Sequence, residues 1–174
     1  MNGLESFAEI WCVDTEYSAP PGHRPTPICL VAQELRSGRR LRLWEDQLAQ
    51  LRAAPFRTDD QTIFVAYAAA AEFSVFHQLG WPAPARTLDL FFEFRALTNG
   101  LQTPSGSGLL GAMVYHGLPV MEAAEKESMR QLAIRGGPFT DAEREALLAY
   151  CAEDVGQQRN QRIFSSKAIL RQRH

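Results

Sequence analysis

Asp14 and Glu16 stand one residue apart in the run Trp11-Cys12-Val13-Asp14-Thr15-Glu16-Tyr17, whose apolar start reads as a buried strand. In an extended chain, residues i and i+2 share a face, so the two carboxylates are close together and aimed the same way. Like charges at that spacing raise each other's pKa unless a cation neutralises them. Carboxylate oxygen suits a hard divalent ion such as Mg2+. Taken alone, the tripeptide also describes a solvated turn after a strand, so the reading depends on partners elsewhere. Tyr150 and Asp154, four apart in a helical pattern, stack on one helix face. Glu72 sits where a strand passes into a helix, in the first turn, where negative charge suits the helix dipole. Asp89 is a further acid at a strand end.

Five strands and several helices must position these groups. The first strand, residues 8–14, ends in a Pro/Gly-rich turn at 18–22 that overhangs the carboxylates. Residues 27–32 and 40–44 follow as β-rich runs, the second alternating apolar and basic, and together the three make an antiparallel meander. A short helical pattern with Leu48 and Leu51 is ended by Pro55. Residues 62–67 form a fourth strand that runs directly into an alanine-rich helix with Phe73, Phe76 and Leu79 at helical spacing, stopped by Gly80. A fifth strand at 86–90 leads into an aromatic helix at 91–95, and 99–108 turns to Gly, Ser and Pro as a loop. Helices are expected at 109–116, 121–134 and from Thr140 to about Val155, the last opened by a capping box of Thr140 and Glu143. Strands first, with helices between and after them, indicate an α/β class.

The composition sets outer bounds. A chain of 174 residues, 45% hydrophobic and 22% charged, fits one domain with a sizeable core. A formal charge of -2 excludes a uniformly basic coat but not segregated charge. Cys12, Cys29 and Cys151 are an odd number without C-x-x-C spacing and read as reduced core residues. The start lacks a signal-peptide pattern and no apolar run approaches a membrane span, so a cytoplasmic protein with no membrane association is expected.

In chain order the candidates read Asp-x-Glu on a first strand, an acid at a mid-chain strand-to-helix turn, and Tyr-x-x-x-Asp on a late helix. This arrangement resembles the DEDD 3'-5' exonucleases of the ribonuclease H-like (DnaQ-like) superfamily in their tyrosine variant. The histidine variant would carry His where this chain has Ala149. Val13-Asp14-Thr15-Glu16-Tyr17, Leu79-Gly80-Trp81-Pro82, Leu88-Asp89-Leu90, residues 122–132 and residues 148–154 look similar to the proofreading domain of family A DNA polymerases, the DNA polymerase I type of phages and bacteria. The resemblance covers residues 7–155. It implies a ribonuclease H-like fold, a mixed sheet flanked by helices, with an exonuclease domain over 1–155 and a basic tail over 156–174 that forms no separate domain.

Carried over residue by residue, the resemblance makes Asp14, Glu16 and Asp154 ligands of two Mg2+ or Mn2+ ions, and Tyr150 the group that orients the attacking water. The third acid departs from the pattern. The family has Asp at the turn that opens the mid-chain helix, where this chain has Glu72, one methylene longer, and Asp89 competes for the role. Lys126 and Arg130, on one helix face, and Thr15 between the acids are weaker candidates for contact with substrate. The implied substrate is the 3' end of single-stranded DNA. RNA ends, as in ribonuclease D-like relatives, and a binding module with impaired catalysis remain open. A polymerase domain, as an attached segment or a separate subunit, is an implied partner.

Other features carry less. His77 and His116 have no second ligand at metal spacing. Phe91, Phe92 and Phe94 suit core packing, with base stacking as the alternative. After Asp154 the chain turns polar and then basic without an acid, which reads as leaving the core and as a nonspecific contact for DNA.

Overall fold

A computed structural model of the chain describes residues 4–99, 101–120 and 123–171, with backbone alone at Ala123 and from 161 onward. Five strands form one sheet in the order β3-β2-β1-β4-β5: β1 (Glu9–Ser18), β2 (Thr26–Glu34), β3 (Arg40–Trp44), β4 (Thr62–Ala66) and β5 (Thr87–Asp89). β1, β2 and β3 pair antiparallel, as the meander requires, while β4 and β5 join parallel to β1 through helical crossovers. The helices are α1 (Glu45–Gln50), α2 (Ala70–Gln78), α3 (Leu90–Leu97), α4 (Leu109–Tyr115), α5 (Ala123–Arg135) and α6 (Asp141–Arg171). The expected α/β class with a mixed sheet is what forms. Among the described residues no helix is long and apolar enough to cross a membrane.

β1 lies at the centre of the sheet and is covered on both faces, so its apolar run is continuous while its side chains still alternate. Ile10 and Cys12 belong to a core shared with Val65, with Leu90 of α3 and with Leu147, Cys151 and Val155 of α6. Trp11 and Val13 belong to the opposite core, with Leu48 of α1, Phe56, Phe76 of α2 and Trp81. Asp14 and Glu16 continue the even-numbered series, so period-2 alternation directs them to the α6 side. β1 runs through both acids to Ser18 rather than ending at Asp14, and a register shift between Glu16 and Tyr17 bends it just past the second acid.

Two anchors fix the helices around this point. Asp89, at the end of β5, accepts from the backbone N–H groups of Ala68 (3.1 Å), Ala69 (2.9 Å) and Phe91 (2.9 Å). It therefore caps α3 and pins the turn that opens α2, where Ala68 is held at φ +62°. The hydroxyl of Ser18 donates to the carbonyl of Ile134 (3.2 Å), tying the end of α5 to the end of β1. The capping box forms: the Thr140 N–H donates to Glu143 (2.8 Å), and the Glu143 N–H donates to the Thr140 hydroxyl (3.2 Å).

The late chain differs from expectation. α6 does not stop near Val155 but continues unbroken to Arg171, and Gln157 and Gln158 are buried rather than solvated. Gln, Arg, Lys and Ala are good helix formers, so a helix already nucleated and docked propagates through this polar stretch. Residues 172–174 of the expected tail, Met121 and Glu122 of the expected helix, and Gly100 of the expected loop lie outside the described residues. Cys12, Cys29 and Cys151 are buried free thiols, as expected.

Candidate active site

The five principal candidates arrive from three elements at one place. β1 supplies Asp14 and Glu16, the first turn of α2 supplies Glu72, and successive turns of α6 supply Tyr150 and Asp154. α6 is held against β1 by the Leu147, Cys151 and Val155 stripe, and the Cys151 thiol donates to the Asp14 carbonyl at 3.1 Å. Glu72, Tyr150 and Asp154 are all buried.

The electrostatics show that the acids share one neighbourhood. Burial pushes the Asp14 carboxyl well up, and the charges of Asp154 and Glu16 push it further. Glu16 is pushed up to about 8 by burial, then by Cys29 and Asp154, with Lys126 opposing. Glu72 is raised by burial first and Asp14 second. The Tyr150 phenol is raised by burial and then by Asp154, Glu16 and Asp14, which keeps it protonated at neutral pH. Asp14 Oδ2 and Glu72 Oε2 are buried with no hydrogen-bond partner. Unpartnered carboxyl oxygens in a protein interior are costly, and the raised pKa values of both groups are the electrostatic form of that cost.

One cation is already present, and it belongs to the chain. The Lys126 ammonium, from α5, donates to both Asp154 oxygens at 3.0 and 2.9 Å and lies 5.4 Å from the centre of the Tyr150 ring. Burial raises the Asp154 carboxyl, and Lys126 then pulls it back. Among the described residues, no group of three or more carboxyl, imidazole or thiol side chains stands in metal-ligating geometry, and Asp154 is paired with Lys126. The donor set nevertheless fits a hard divalent ion. It is all carboxylate oxygen, and two of those oxygens are buried without a partner.

The remaining candidates fall into place around this centre. Glu72, not Asp89, has a free oxygen among the acids, because three backbone N–H groups occupy the Asp89 carboxylate. Thr15 is buried, and strand alternation turns its side chain to the opposite sheet face, leaving its main chain between the acids. Arg130 is engaged by Glu127 at 2.9 Å on the exposed side of α5. Phe94 is core, Phe91 is half-buried against Tyr67, and Phe92 is exposed. The close pairing of Lys126 with Asp154 had no signal in the sequence beyond a lysine on a neighbouring helix.

No protein-family model matches the chain, and no curated protein matches it. Among solved structures, the chain is similar to the Nibbler EXO domain of Aedes aegypti. The TM-score is 0.51 with 11% identity, covering 87% of this chain and 78% of that one. At that identity the likeness establishes the fold, which is ribonuclease H-like. It does not single out the polymerase-type proofreading domain to which the sequence stretches were compared.

Proposed function

We propose that the chain is a metal-dependent 3'-5' exonuclease that removes nucleoside 5'-monophosphates from the ends of single-stranded nucleic acid. The observation that carries this reading is the convergence of Asp14, Glu16, Glu72 and Asp154 from β1, α2 and α6, each raising the charge cost of at least one other, with two buried oxygens unpartnered. The similarity to an EXO domain supports it at the level of fold.

Asp14, Glu16, Glu72 and Asp154 would hold two Mg2+ or Mn2+ ions, which when bound supply an acidified water and charge stabilisation for the departing oxygen. The chain's own groups do the rest. Tyr150, kept protonated by burial and by the acids, is suited to hydrogen-bonding the attacking water and fixing its line of approach. Lys126 now holds Asp154 and would have to give it up for all four carboxylates to share the ions; its ammonium has the charge and donors to pair a substrate phosphate instead. In the hydrolysis the water oxygen bonds to phosphorus, the bond from phosphorus to the 3' oxygen breaks, and that oxygen takes up a proton.

DNA and RNA ends require the same chemistry and differ at the 2'-hydroxyl, so both belong in the test. We prefer single-stranded DNA as the substrate, the choice implied by the sequence likeness to polymerase proofreading domains. One observation favours a second reading, a binding module without catalysis: Asp154 is already neutralised by Lys126. A 5'-labelled DNA or RNA strand incubated with Mn2+ should shorten stepwise from its 3' end. Shortening should cease in EDTA and in Asp14→Asn. Undiminished trimming by Asp14→Asn would remove the assignment, and binding without any trimming would favour the module.

A further inference from the structure

A second charged feature lies on the other flank of α6. A groove of about 460 Å³ separates that helix from β2 and β3. Its apolar lining comes from Val31, Ala149 and Ala152, and its charges from Arg40, Arg42, Arg159 and Glu145. At 100° per residue, Glu145, Ala149, Ala152 and Arg159 fall on the flank of α6 opposite Tyr150 and Asp154. The helix, roughly 10–12 Å across with its side chains, therefore stands between this groove and the acids.

The charges are unbalanced in one direction. Among the described residues Arg40 and Arg159 have no ion pair, and Arg42 has only Glu145, at 2.6 Å in a pair whose side chains are 43% and 66% exposed. An exposed pair of that kind exchanges readily for another anion. Arg40 and Arg42 are i and i+2 on the edge strand β3 and so share a face. A second observation extends the pattern. The α6 backbone continues past the groove to Arg171, and its sequence from Val155 onward contains Arg159, Arg162, Lys167 and Arg171 with no acid.

Three guanidinium groups beside an apolar lining match a ligand that alternates phosphates with flat apolar rings. Guanidinium pairs phosphate through two parallel hydrogen bonds, and the apolar lining accepts a base. We propose that this groove is a second nucleic-acid site, which holds a single-stranded segment by its phosphates at a distance from the acids. The inference rests on the proposed nuclease function only in identifying that segment as the strand whose end is cleaved. The groove binds the part of the strand remote from the reacting end, so it sets affinity for long strands and leaves the chemical step alone.

The test is fluorescence anisotropy with a labelled twenty-residue oligothymidylate in EDTA, so that binding is read without cleavage. Arg40→Ala/Arg42→Ala/Arg159→Ala should weaken binding at least tenfold and flatten the salt dependence by about two, since each phosphate contact on a single strand contributes about 0.7 to the slope. The corresponding triple Lys variant, which keeps the charge but not the paired hydrogen bonds, should keep the wild-type salt dependence and bind between the wild type and the Ala variant, which separates lost charge from a lost fold. Hydrolysis of the nitrophenyl ester of thymidine monophosphate, too small to reach the groove, should be unchanged in the Ala variant. Equal binding by the wild type and the Ala variant would overturn the groove, as would competition by polyglutamate as effective as that by the oligonucleotide. Loss of binding in the Ala variant of a protein that cuts nothing would retain the groove and remove the nuclease. Normal cutting with unchanged binding would do the reverse.

Discussion

Replacing Lys126 by Met keeps most of the side chain's length and removes its charge, which leaves Asp154 among Asp14, Glu16 and Glu72 without its present counter-ion. Removing one partner of a fully buried pair costs about 3–5 kcal/mol. Here the Lys126 side chain is 26% exposed and that of Asp154 is 9% exposed, so water recovers part of the loss. A destabilisation of about 2–3 kcal/mol is expected in metal-free buffer, read as a lower urea midpoint at unchanged m-value. In the wild type an incoming cation must first break the Lys126–Asp154 contact, so the same energy opposes cation binding. The variant should therefore bind Mn2+ about 30- to 150-fold more tightly, at 1.4 kcal/mol per factor of ten, and Mn2+ should raise its melting temperature more than that of the wild type. Calorimetric titration and thermal melts measure both. A variant as stable as the wild type in EDTA, with the same Mn2+ affinity, would refute the idea that this ammonium stands in for the cations.

Two further predictions concern the scaffold. Burial alone would raise the Glu34 carboxyl, but hydrogen bonds from the backbone of Ile10, Ser37 and Arg36 and from the Ser37 hydroxyl hold it below its usual value of 4.5. A carboxyl lowered by folding stabilises the chain fully above the unfolded value and stops doing so as pH falls through the folded one. Glu34→Gln should cost about 2 kcal/mol at neutral pH, with the gap to wild type narrowing in acid; a pH-independent gap in denaturation midpoints would contradict this. Ala68 occupies the left-handed region at φ +62°, so Ala68→Gly should stabilise by roughly 0.5–1 kcal/mol after its own entropic cost. A lower melting temperature in that variant would contradict the strain.

Much of the centre was legible because strand and helix periods are short-range rules. Alternation along Trp11 to Glu16 put both acids on one face, and the four-residue step put Tyr150 above Asp154. Motif order favoured Glu72 over Asp89, but the hydrogen bonding that sets the two carboxylates apart was not legible. Backbone N–H groups of Ala68, Ala69 and Phe91 engage Asp89 from two different connections, which no local pattern announces. The run after Asp154 misled because polarity was read as exposure, whereas Gln158 is fully buried on a helix already anchored by Leu147 and Cys151. The arginine groove joins β3 to α6 across more than a hundred positions, and no local pattern announces such a pairing.

Cations shared by acids that are distant in sequence would lie close enough to sense one another. Electron paramagnetic resonance of the metal-free protein titrated with Mn2+ reads this directly. The expected result is two ions bound per chain, with the spin coupling of centres about 3.5–4 Å apart, and loss of the coupled signal in Asp14→Asn. Weak, uncoupled binding that is the same in both proteins would contradict it.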